Sequence, residues 1–149
     1  MTRRDLVVFV AAILALAVLA PQAAAYERAE HYDDYSIYYN AMASTRLSPD
    51  VANRYELQRS RIRGVLMITV LHDGDPVSAR VDARALNPRD QLQTVRMHEH
   101  ADGEGIYSVG GFRMEDGERM RFEVRVRPDG HDGHDQEYTL EFSERLFSD

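Results

Sequence analysis

The chain has 149 residues, a formal net charge of −7 and no cysteine, and 44 % of its residues are hydrophobic and 29 % charged. That length makes one domain, and that balance is globular rather than disordered. The lack of cysteine excludes disulfides, a thiol nucleophile, thiolate metal sites and lipoprotein attachment, and the acidic balance excludes the basic footprint that nucleic acid or an anionic lipid surface requires.

Arg3 and Arg4 open the chain with positive charge, Leu6 to Ala20 is an apolar run without a charge, and Pro21 breaks it. Ala23-Ala24-Ala25 then supplies the small residues of a cleavage site. This order is that of a cleaved signal peptide over residues 1–25. The alternative is an uncleaved anchor, although the apolar run is shorter than the roughly 20 residues a spanning helix needs. Residues 26–149 are expected to be a single domain exported to the periplasm, with no membrane span of its own.

Asp34 to Asn40 reads as the first strand, because Tyr35, Ile37 and Tyr39 alternate with Ser36 and Tyr38. Ser48-Pro49-Asp50 is a helix start: the serine hydroxyl can cap, proline suits the first position, and aspartate complements the positive helix end. The expected helix runs from Pro49 to Leu57. Gly64 to Leu71 is almost continuously apolar and suits a central strand covered on both faces. After the turn His72-Asp73-Gly74-Asp75-Pro76, the residues Val77, Ala79, Val81, Ala83 and Ala85 alternate with polar ones. Gln91 to His98 is a less regular strand, and Ile106 to Phe112 holds Gly110-Gly111, a bulge or a close approach. Met120 to Val126 alternates apolar with charged residues, and Tyr138 to Ser143 closes the series. Evenly spaced strands with turn signals between them predict an all-β fold. The expectation is an antiparallel immunoglobulin-like β-sandwich of about seven strands with one short helix after the first.

The stretches Asp34-Tyr35-Ser36-Ile37-Tyr38-Tyr39-Asn40 and Ser44-Thr45-Arg46-Leu47-Ser48-Pro49-Asp50-Val51-Ala52, followed by Tyr55, Arg59-Ser60 and Gly64, resemble a small exported family of Gram-negative bacteria known as domain of unknown function 4426. The resemblance runs over essentially the whole chain after the leader. It implies a periplasmic location and a single domain, and it implies no activity. His98, His100, His131 and His134 stand outside the family pattern, so a metal role for them would be particular to this chain.

Three groups could carry function. His98-Glu99-His100 places two imidazoles on one face of a strand, and His131-Asp132-Gly133-His134-Asp135 places two more in a loop. Imidazole with carboxylate suits zinc, copper or nickel, and the same residues read blandly as exposed polar sequence. Arg54, Arg59, Ser60 and Arg61, continuing to Arg63, could bind a partner or an anion through guanidinium forks, or could pair internally with the many carboxylates. Tyr32, Tyr35, Tyr38 and Tyr39 could grip a partner, with Tyr35 and Tyr39 expected in the core. Ser44, Thr45 and Ser60 lack a nucleophile-elbow context, Pro76 interrupts the beginning of a calcium loop at Asp73 and Asp75, and no phosphate loop precedes a helix. The expected function is therefore a non-enzymatic interaction module of the cell envelope, with another envelope protein as partner and no resident cofactor. The alternative is a periplasmic metal- or small-ligand-binding protein in which His98, His100, His131 and His134 hold a divalent transition metal.

Overall fold

The computed structural model describes residues 28–103, 105–130 and 136–148. The expected signal peptide lies outside the described residues, as do His131 and His134. In chain order the elements are β1 (Arg28–Tyr32), β2 (Tyr35–Ala43), a 3-10 turn (Ser44–Arg46), α1 (Pro49–Arg54), β3 (Arg63–His72), β4 (Asp75–Pro76), β5 (Ala79–Leu86), β6 (Leu92–Val95), β7 (His98–Asp102), β8 (Gly105–Arg113), β9 (Arg119–Pro128) and β10 (Tyr138–Arg145). They form two antiparallel sheets. The first runs β1-β2-β3-β8-β7, with β4 paired to β3, and the second runs β10-β9-β5-β6.

The two sheets share one core, as a sandwich does. Ile37, Leu66, Ile68 and Phe112 from the first sheet meet Ala85, Phe122, Val124 and Leu140 from the second. The Phe122 ring lies 5.0 Å from Phe112, edge to face, and 5.0 Å from Phe142, stacked, so aromatic packing spans the layers. Tyr35 and Tyr39 pack against this core, as their alternation suggests. The alternation in β9 turns Met120, Phe122, Val124 and Val126 inward. Its charged residues face out, where Glu123 pairs with Arg84 on the adjacent strand.

β3 is the central strand that its apolar run demands. Leu66, Ile68 and Val70 point into the sandwich, while Val65 and Met67 point to the opposite face. There Leu47, Ala52 and Tyr55 cover them, forming a smaller second core together with Val109. The helix α1 is thus a cap on the outer face of the first sheet.

The sequence and the structure differ at identifiable places. The helix ends at Arg54 and not at Leu57, because Tyr55 leaves helical geometry and Glu56 takes a left-handed conformation at φ 55°. The stretch Gln91 to His98 is divided between strands of different sheets: β6 pairs with β5, and β7 pairs with β8. The break at Arg96 and Met97 is where the chain crosses between layers. Gly110 marks that crossing as a close approach: a Cβ on it would sit 2.6 Å from the Arg96 carbonyl oxygen. The pairing of β8 with β3 runs through Gly110 without a bulge. β1 was not anticipated, since Arg28, Glu30 and His31 give no apolar alternation. It pairs only with β2, as an edge strand that buries little.

Candidate functional site

Two concentrations of chemistry lie along the first sheet. The first is built from neighbouring hairpin turns. Tyr35, at the start of β2, pairs with His72 at the end of β3. That register brings the β1–β2 turn beside the β3–β4 turn, and the Asp73 amide donates to the Asp34 carbonyl at 2.9 Å. Asp73 and Gly74 have φ of 50° and 84°, the double left-handed geometry of the tight hairpin turn that Asp-Gly favours.

One carboxylate oxygen each from Asp34 and Asp73 and a ring nitrogen of His72 fall within 4.8 Å of one another. His72 Nε2 is 3.7 Å from Asp73 Oδ2. The His72 ring is oriented by stacking on Tyr35 at 4.5 Å, and Tyr138 lies 5.7 Å beyond Tyr35. Burial raises the Tyr138 pKa above its ordinary 10.0, and the charges of Asp33 and Asp34 add to the rise, so this end of the sandwich carries a negative field. Two hard oxygens and one imidazole suit a borderline divalent ion at bond lengths of about 2.0–2.2 Å. Sequence reading missed this set. His72-Asp73-Gly74 was legible as a turn, but nothing local said that Asp34 would sit beside it.

The second concentration lies on the outer face of the first sheet, along β7 and β8. His98 and His100 both project there from β7, as their spacing predicts, opposite Val109 and Tyr107. Glu99 faces away and accepts from Ser78 Oγ at 2.8 Å and the Ala79 amide at 3.1 Å. His100 meets the edge of Tyr55 at 5.2 Å. The Tyr55 hydroxyl and the Arg54 guanidinium each donate to Asp102 Oδ2 at 3.0 Å. The hydrogen bond from Tyr55, then that from Arg54, lowers the Asp102 pKa, while burial first and the Asp102 contact second raise that of Tyr55. A cleft of about 320 Å³ runs along this face between the residues after α1 and the β7–β8 pair, and His98, His100, Arg63 and Arg96 line it.

The arginine group read from the sequence does not converge. Arg54 is held by Asp102. Arg59 donates to the Thr45 carbonyl at 3.1 Å. The Ser60 amide donates to Ser44 Oγ at 2.9 Å, and that hydroxyl donates back to the Ser60 carbonyl at 3.0 Å. Arg61 lies in the field of Asp116. These contacts pin the segment between α1 and β3, and among the five only Arg63 lines the cleft.

The family model of a domain of unknown function, DUF4426, matches residues 29–149. No curated protein sequence matches the chain. Among solved structures, a DUF4426 family protein from Pseudomonas aeruginosa is similar with a TM-score of 0.71 and 25 % identity, over 83 % of this chain and 96 % of that one. FetP from uropathogenic Escherichia coli, recombinantly expressed in the periplasm, is similar with a TM-score of 0.58 and 8 % identity, over 80 % and 93 % of the two chains. A copper-bound variant of FetP gives 0.57 and 7 % identity, over 79 % and 93 %. At such identities the likeness to FetP is one of fold.

Proposed function

The chain belongs to the DUF4426 family, whose function is unknown, and from that footing we propose that it is a non-enzymatic periplasmic domain that holds a divalent transition metal between Asp34, His72 and Asp73. The observation that carries this reading is the approach of the three donors to within 4.8 Å on turns fixed by strand register. A copper-bound protein of the same fold lends it support. The strand order also supports reading the sandwich as immunoglobulin-like. β2-β3-β8-β7 faces β10-β9-β5, as four strands face three in the constant type, and β6 extends the second sheet.

Calorimetric titration of the purified protein with zinc, copper and nickel tests the metal site. One ion per chain is expected, with His72→Ala weakening it by roughly a hundredfold or more, since loss of a direct ligand exceeds the effect of an outer-shell change. Binding that survives His72→Ala but is lost in a His98→Ala, His131→Ala double variant would move the ion to the histidine pairs.

A second reading, docking of an envelope protein, is favoured by one feature. Ile62 and Leu92 are 56 % and 53 % exposed, and both line a cleft of about 430 Å³ at the end of the sandwich remote from His72. Capture of the same envelope protein by the parent and by an Ile62→Ser, Leu92→Ser variant would sink that placement.

A further inference from the structure

The cleft beside β7 runs along the outer face of the first sheet from the Arg63 end of β3, and the argument for it is independent of the proposed metal site. Six of the described arginines, Arg28, Arg54, Arg84, Arg89, Arg121 and Arg127, meet a carboxylate. Arg63 and Arg96 come from different elements, β3 and the crossover after β6, and both border one concavity with His98 and His100, while Arg96 and His98 also border a neighbouring cleft with Asp82, Glu123 and Glu141. Among the described residues neither arginine has an ion pair or a hydrogen-bonding side-chain partner, although Glu56 lines the same cleft. The concavity of about 320 Å³ falls within the range of small-molecule sites.

Its floor is open because of a glycine. Gly111 is exposed, and a Cβ placed on it would meet nothing nearer than the Gly64 carbonyl oxygen at 3.8 Å. Val65 and Val109 beneath are buried and apolar, and Tyr55 closes one side. A guanidinium fork beside an apolar floor is suited to a compact anion, because the fork matches a carboxylate or a phosphate with paired hydrogen bonds.

We propose that this cleft binds a small organic anion, carboxylate or phosphate, through Arg63, with Arg96 at its rim and His98 and His100 as further donors. The test is a titration of the metal-free, isotopically labelled protein with inorganic phosphate and, separately, with succinate, followed by amide chemical shifts. Saturable shifts are expected at His98, Gly110 and Gly111 with at least one of the two, and the tighter anion identifies the ligand class. Arg63→Gln with Arg96→Gln should weaken binding roughly tenfold or more, the scale of lost charge-assisted hydrogen bonds. Gly111→Val, which fills the floor without meeting backbone, should abolish it. Shifts that fail to saturate with both anions, or binding undiminished in the double arginine variant, would overturn the proposal.

Discussion

The Tyr55 hydroxyl donates to Asp102 Oδ2 at 3.0 Å, tying the end of α1 to the last residue of β7. This contact holds the small cap over the outer face of the first sheet, and it gives the fold a pH dependence with a defined sign. The Asp102 pKa is lowered below 3.8 by the Tyr55 and Arg54 hydrogen bonds. Its stabilisation is therefore complete above that ordinary value and fades as the pH falls through the lower folded one. Tyr55 is shifted the other way, above 10.0. Its contribution is complete below 10.0 and is lost as the pH rises through the folded value. In thermal melts, Tyr55→Phe should lie below the parent at neutral pH, and the gap should narrow as the pH falls below 3.8 through the lowered folded pKa of Asp102, whose protonated form is the weaker acceptor. A gap independent of pH would show that Tyr55 acts by packing alone.

The cap also depends on its first residue. Ser48 Oγ accepts from the Val51 amide at 3.2 Å, and the helix it opens has six residues. Ser48→Ala should cost about 1 kcal/mol in urea denaturation, the usual worth of such a cap. Because α1 leads directly into Tyr55, the variant should also speed amide exchange at Tyr55 and Leu57.

Adjacent glycines should behave oppositely. A Cβ on Gly110 would lie 2.6 Å from the Arg96 carbonyl oxygen, 2.7 Å from Met97 Sδ and 2.8 Å from Val95 Cγ1. Backbone cannot yield there without shifting the crossover, so Gly110→Ala should destabilise by about 2–3 kcal/mol. Gly111→Ala should fall within about 0.5 kcal/mol of the parent, as an exposed substitution does. Chemical denaturation of the pair separates the two roles.

Much of this fold was legible because it depends on local pattern. The apolar run of β3, the alternation of β5, β9 and β10 and the Ser48-Pro49 helix start each announce themselves within a few residues. What stayed hidden depends on pairing between distant segments. His98 looked like the end of one strand because a crossover of two residues, Arg96 and Met97, has no signature of its own. β1 is polar because an edge strand needs a backbone partner more than a buried face. Asp34 and His72 meet only through the register of β2 against β3, and no spacing in the sequence encodes that register. The arginines after α1 were conspicuous by their density, yet Arg54 and Arg59 are occupied by Asp102 and by the Thr45 carbonyl. Arg63, at the end of that run, borders the cleft instead, with Arg96, isolated in the sequence, at its rim.

The chain passes between the two sheets through short connections: Val77–Ser78, Arg96–Met97 and residues 114–118. Stitches this tight leave neither layer free to peel away by itself, so the sandwich should melt as one cooperative unit. Arg63, at the cleft, and His72, at the candidate metal site, are the two ends of the ten-residue β3, roughly 30 Å apart at about 3.3 Å per residue. Occupation of either site must then raise a single shared melting temperature, by mass action on the whole molecule. One thermal-shift screen of metals and anions can therefore interrogate both ends of the domain at once.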